Sequence, residues 1–155
     1  KNAMTGARIK RIEPWIDGDE FMVTYGDGVA DVDLEKLQAF SRQQGTVGTV
    51  TGVHPPSRFG LLRVQGDRVV EFSEKPQIED GYINGGYFYF KRKFFDYLSD
   101  SDTCVLERGP LEQLARDQQL AVFKHNGFWQ PMDNVRDMNY LGDLYEKNQA
   151  PWVCW

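Results

Sequence analysis

The sequence predicts an α/β fold with a mixed sheet, built on early parallel strands with antiparallel elements added later. Three observations predict it. Two strand-forming runs, 20–25 and 46–53, flank a helical pattern at 33–44. A strand-rich middle follows, punctuated by glycine and a Gly66-Asp67 turn. Helical patterns then return toward the end of the chain.

Each element has a local cause. TGARIKRI at 5–12 reads as a short helix capped by Thr5, with Ile9 and Ile12 on one face. EFMVTY at 20–25 reads as a buried strand that stops at Gly26-Asp27-Gly28. Asp33 can cap a helix running to about Gln44, with Leu34, Leu37 and Phe40 at helical spacing. In TVGTVTGV at 46–53 six of eight residues are β-branched and the other two are glycine, which favours a strand. His54-Pro55-Pro56 forms a rigid turn. FGLLRVQGDRVVEFSEKP at 59–76 then reads as a hairpin about Gly66-Asp67. GYINGGYFYF at 81–90 is a further strand. Helices at about 92–98 and 110–117 precede a strand near 120–125. The last helix starts at Asn134, an Asx cap, with Tyr140, Leu141 and Leu144 on one side.

Composition narrows the function classes. The chain has 155 residues, 41% hydrophobic, 14% aromatic and 26% charged, which suits one acidic globular domain and excludes a disordered one. No run approaches the roughly 18 apolar residues of a membrane span, and no signal-peptide pattern opens the sequence. A net charge of −5 argues against non-specific nucleic-acid binding, which needs a basic surface to neutralise phosphates. Cys104 and Cys154 form no C-x-x-C and read as two free thiols in a reducing cytoplasm. His54 and His125 are isolated and lack zinc-ligand spacing.

Five places could carry chemistry. Gly26-Asp27-Gly28 sets a carboxylate at the C-terminal edge of a strand, where open α/β sheets bind ligands. A carboxylate there suits Mg²⁺, which binds through one or two carboxylates plus substrate phosphates. The ordinary alternative is a turn. Glu74-Lys75-Pro76 pairs an acceptor for hydroxyls with a cation for phosphate, against a solvated strand end. In Ile83-Asn84-Gly85-Gly86, glycines inside a strand mark a close approach or a bulge, and Asn84 offers a donor and an acceptor. Asp133, in FWQPMDN, sits just ahead of the last helix, where a capping carboxylate is common, and Trp129 reads as packing. Arg8, Lys10 and Arg11 form a basic face that could meet phosphate or simply be solvated.

Taken together, the order GDG, EKP, NGG, FWQPMD resembles the sugar-nucleotide pyrophosphorylases, and among them the glucose-1-phosphate cytidylyltransferases. The resemblance runs from MTGARIKRI through TYGDGVADVDL, PPSRFGLL, FSEKP, INGGYF, ERGPLEQLA and FWQPMDNVRD to APW. It implies a Rossmann-like nucleotide-diphospho-sugar transferase fold. It also implies a reaction in which CTP and α-D-glucose 1-phosphate give CDP-glucose and pyrophosphate, for bacterial surface polysaccharide. Asp27 and Asp133 would hold Mg²⁺. Gly26 would lie against the nucleotide and Arg8 near its phosphates or base. Glu74 and Lys75 would hold the sugar phosphate, and Asn84 with Gly85 the sugar. No covalent nucleophile is needed, in keeping with the lack of a Ser/Cys/His constellation.

The sequence departs from that family in two ways. The family opens with a strand, a Gly-rich loop and a Lys-Pro element. This chain starts at KNAMTGARIK and shows no G-x-G-x-x-G. The expectation is therefore a C-terminal portion, 1–155, of a single nucleotidyltransferase domain. A sheet edge and the core face beside the 5–12 helix should be exposed, and the chain should self-associate into a homo-oligomer. Alone it should not catalyse cytidylyl transfer. The alternative is an inactive sugar-phosphate-binding or assembly module of the same family. The second departure is Asn134, where relatives usually carry Thr; both residues cap helices.

Overall fold

Alternation of side chains along β-branched and aromatic runs produces a sheet with two covered faces. The computed structural model describes residues 2–55, 61–73 and 81–153. It divides into two compact units. The first comprises Lys1–Tyr25, Asp33–Thr51 and Gly86–Phe123, and the second Gly26–Val32, Gly52–Gly85 and Lys124–Trp155.

The first unit holds β1 (Glu20–Thr24), α1 (Thr5–Ile12), α2 (Leu34–Gln44), α3 (Pro110–Arg116) and most of β3 (Gly48–Val53), β6 (Ile83–Lys91) and β7 (Leu120–His125). The sheet order is β1-β6-β3-β7. β1 pairs antiparallel with β6, from Glu20 opposite Lys91 to Thr24 opposite Tyr87. Lys91 N–H donates to Val47 O at 2.9 Å, so the end of β6 lies beside the start of β3 and the two run oppositely. Gly48 N–H donates to Gln119 O at 3.0 Å, so β3 and β7 start together and run parallel. β1 and β3 thus share a direction, as the sequence predicts, but β6 separates them. The sheet is mixed, and β7 is an edge of it among the described residues.

One face of this sheet builds the core. Phe88 and Phe90 on β6 join Phe94, Phe95, Leu106 and Leu114, all essentially buried. Phe90 stacks on Phe94 with ring centroids 3.8 Å apart. α2 covers the opposite face, where Phe40 meets Phe123 edge-on at 5.6 Å. Asp33 caps α2 by accepting from Lys36 N–H at 2.9 Å, and Leu37 is buried while Leu34 is exposed. Gly86 has φ +79°, and a Cβ there would lie 2.8 Å from the Tyr25 ring, so only glycine fits without displacement.

Several local expectations change. Thr5 does not cap α1; the N-cap is Met4, with no side-chain bond. The Thr5 hydroxyl instead accepts from Leu106 N–H at 2.9 Å and donates to Glu107 at 3.0 Å, a long-range pairing that displaces the local cap. Ile9 is buried, but Ile12 is 40% exposed. The core face beside α1 is covered rather than open, because Ala3, Ala7 and Ile9 join the aromatic cluster. Arg92–Tyr97 is a 3-10 helix. Cys104 is a free, buried thiol, and Cys154 lies outside the described residues.

The second unit holds β2 (Gly28–Ala30), the hairpin of β4 (Leu61–Gln65) and β5 (Arg68–Ser73), β8 (Trp129–Pro131) and α4 (Val135–Glu146). The hairpin turns at Gly66-Asp67, as expected, and carries a register shift between Arg63 and Val64. β2 and β8 were not legible as strands; they pair antiparallel as an isolated ribbon. On α4, Leu141 is buried while Tyr140 is 47% exposed. Among the described residues no helix is long and apolar enough to cross a membrane.

Candidate functional site

The β2/β8 ribbon in the second unit organises the acidic candidates. Its register pairs Gly28 with Pro131, Val29 with Gln130 and Ala30 with Trp129. The pairing continues one step further, where Met132 N–H donates to Asp27 O at 2.7 Å. Asp27 and Asp133 therefore come to the same end of the ribbon, although 106 positions of sequence separate them. Both residues are exposed there. Beside them an added Cβ on Gly26 would meet nothing within 4 Å among the described residues, which leave the approach to this backbone open.

The helix that follows leaves Asp133 out of the capping role. Asn134 caps α4, its Oδ1 accepting from Asp137 N–H at 3.0 Å. Asp137 answers: its Oδ2 accepts from the Asn134 side-chain amide at 2.8 Å and from Asp133 N–H at 3.3 Å. Asp133 thus contributes its backbone to the cap, and Asn134 contributes the side chain.

Gly85 lies at the ribbon as well. Its carbonyl accepts from the Trp129 indole N–H at 2.8 Å, and the Cβ position of Gly28 is 3.7 Å from the same oxygen. Trp129 is thus more than packing: it ties β8 to the Asn84-Gly85 step. Asn84 is exposed next to it. Glu74 and Lys75 lie outside the described residues. Arg8 belongs to the first unit, exposed on α1, where its Nε donates to Ala3 O at 2.8 Å. Its neighbours are committed locally: Lys10 pairs with Glu13 at 2.8 Å and Arg11 pairs with Asp102.

Sequence reasoning missed two residues of this unit. Asp31 follows β2, and His125 ends β7; their side chains pair at 2.9 Å. No spacing signal links positions 31 and 125.

The donor set fits a hard divalent cation. Among the described residues no group of three or more His, Cys, Asp or Glu side chains converges. Two carboxylates at one ribbon end, beside an open backbone, match the habit of Mg²⁺, which takes one or two protein carboxylates and completes its shell with phosphate oxygens and water.

Comparison with known proteins gives the context. The model of the family described as Nucleotidyl transferase matches residues 6–138. Over 155 residues the chain is 44% identical to the glucose-1-phosphate cytidylyltransferases of Salmonella typhi and Salmonella typhimurium, covering 99% of this chain and 60% of each relative. The chain therefore spans about three fifths of the length of these curated relatives. It is 33% identical over 141 residues to the mannose-1-phosphate guanylyltransferase catalytic subunit beta of Dictyostelium discoideum, covering 84% of this chain and 39% of that relative. Among solved structures, HddC from Yersinia pseudotuberculosis superposes with a TM-score of 0.67 at 21% identity, over 94% of this chain and 64% of that one. The inositol-1-phosphate CTP transferase of T. maritima gives 0.60 at 14% identity, over 99% and 64%. These structural likenesses are of fold.

Proposed function

Because the chain belongs to the nucleotidyl transferase family, we propose that it is the portion of a glucose-1-phosphate cytidylyltransferase that carries its metal-binding carboxylates. The reaction is CTP plus α-D-glucose 1-phosphate giving CDP-glucose and pyrophosphate. The observation that carries the reading is the ribbon, which holds Asp27 and Asp133 at one end beside an open glycine backbone.

A phosphate oxygen of glucose 1-phosphate attacks the α-phosphorus of CTP in line. The bond to the β-phosphate oxygen breaks, and pyrophosphate leaves with its electron pair. Two anions must meet, so charge neutralisation and positioning supply most of the catalysis. Asp27 and Asp133 are the residues that would hold Mg²⁺. When bound, that ion neutralises phosphate charge and orients the triphosphate. Arg8 and Lys75 lend further positive charge to the phosphates. Glu74 accepts from a sugar hydroxyl, and Asn84 and Gly85 face the sugar. Gly26 admits the nucleotide to the backbone because no Cβ stands there. The same reading has the protein working as a cytoplasmic homo-oligomer that supplies a nucleotide sugar for surface polysaccharide such as O-antigen.

Calorimetry tests it first. Titration with CTP in Mg²⁺ should give saturable binding that EDTA abolishes. Asp27→Asn and Asp133→Asn should each weaken it at least tenfold. Equal affinity in wild type and both variants would overturn the carboxylate assignment.

A further inference from the structure

A ribbon of two three-residue strands needs something to set its register. In a hairpin the turn does this, but β2 and β8 lie about 100 residues apart in sequence and share no turn. A slip of one residue would move Asp27 out of step with Met132 and turn side chains to the other face. The end of the ribbon away from Asp27 holds a cross-tie. His125 Nε2 lies 2.9 Å from Asp31 Oδ1 and 3.2 Å from Phe128 O. Asp31 immediately follows β2, and Phe128 immediately precedes β8. Nε2 hydrogen-bonds the Phe128 carbonyl and lies within ion-pair distance of the Asp31 carboxylate, so one ring engages the chain beside both strands. Asp31 N–H donates to the same Phe128 carbonyl at 3.2 Å, closing the tie. The imidazole is shielded, with a side chain 11% exposed against 35% for Asp31. The chain makes room for the pair at Gly127: a Cβ there would lie 2.5 Å from Asp31 Oδ1 and 2.8 Å from the His125 ring.

We propose that His125 and Asp31 form a positioning pair that sets the β2/β8 register, and through it the spacing of Asp27 and Asp133 at the opposite end. The second half of this rests on the reading of those carboxylates as metal ligands. The pair does not touch the metal or the substrate; it acts through the ribbon.

Two readouts test the proposal, amide hydrogen exchange and binding of Mn²⁺, an oxygen-seeking stand-in for Mg²⁺. The amides of Asp31 and Met132 report opposite ends of the ribbon, and the amide of Lys91 serves as a reference in the sheet. His125→Ala should speed exchange at least tenfold at both Asp31 and Met132, leave Lys91 unchanged and raise the Kd for Mn²⁺ at least tenfold. His125→Gln, whose amide nitrogen reaches about as far as Nε2, should restore both within about threefold. Gly127→Ala retains both side chains but crowds each of them out of place, and should reproduce the alanine signature; it also serves if His125→Ala fails to fold. Faster exchange at Asp31 alone, with Met132 and Mn²⁺ affinity unchanged, would reduce the pair to a local loop brace and overturn the proposal. Weaker Mn²⁺ binding without any change at Met132 would overturn it too. If wild type and Asp27→Asn bind Mn²⁺ equally, the metal reading fails, and the exchange at Met132 alone decides the register claim.

Discussion

Tyr89 places its ring on the α2-covered side of the sheet, 1% exposed, and its hydroxyl has no hydrogen-bond partner in good geometry among the described residues. The Glu20–Arg42 pair is near enough to act on it electrostatically, but burial is the main influence and pushes the phenol above its usual value. A raised phenol favours the neutral form in the folded state. Its contribution to stability is therefore whole below about pH 10, the unfolded value, and is lost as pH rises through the folded one. Urea denaturation at pH 8, 10 and 11 should show stability falling on the alkaline side, with Tyr89→Phe removing part of that fall. A slope unchanged by the substitution would show that the phenol does not carry it. Thr49 and Thr51 present the same problem on β3: both are buried, and neither hydroxyl has a partner among the described residues. An unpaired buried hydroxyl costs about 1–3 kcal/mol of desolvation. Thr51→Val keeps the shape and removes the hydroxyl, so the melting temperature should hold or rise. A drop of several degrees would mean that the hydroxyl is satisfied.

The cap of α4 is a prediction at the level of an element. Asn134 Oδ1 is the side-chain acceptor for the Asp137 amide at 3.0 Å. Losing such a cap costs about 1 kcal/mol, which in a chain of this size lowers the melting temperature by about 2–4 °C. Asn134→Ala should show that drop with faster exchange at the Asp137 amide, and Asn134→Thr should recover most of it. An alanine variant as stable as wild type would remove the cap from the argument. The same cap was legible in the sequence, as were the Asp33 cap and the Gly66-Asp67 hairpin, because each is decided by residues within a few positions of one another. The β2/β8 ribbon was not. Three residues per strand carry no period, and the partners meet only through tertiary contacts such as Trp129 to Gly85. Thr5 misled for the same reason: its hydroxyl answers to Leu106 and Glu107, about 100 positions away. Of the site, the motifs named Asp27 and Asp133 singly and the family resemblance paired them; the fold adds that the ribbon brings the two positions to one end. His125 and Asp31 carried no local signal at all.

At the level of the whole molecule, the functional reading has a thermodynamic consequence that does not require turnover. A ligand that binds only the folded chain stabilises it by RT ln(1 + [L]/Kd), about 2.7 kcal/mol at a hundredfold excess over Kd. For 155 residues that corresponds to a rise of about 5–10 °C in melting temperature. On that reading a divalent cation taken up by Asp27 and Asp133 should by itself give part of the rise. CTP alone should give little, because its phosphates add negative charge beside Asp27 and Asp133 to a chain of net charge −5. The two together should exceed the sum of the separate shifts, since each neutralises the charge that opposes the other. Asp27→Asn should invert this pattern: the cation effect disappears while repulsion of CTP eases. Thermal scans of wild type and Asp27→Asn with Mg²⁺, CTP, both, and both plus EDTA measure it directly. Purely additive shifts, or shifts that survive EDTA, would mean that CTP binds this chain without the two carboxylates and their metal, and the assignment of Asp27 and Asp133 would fall.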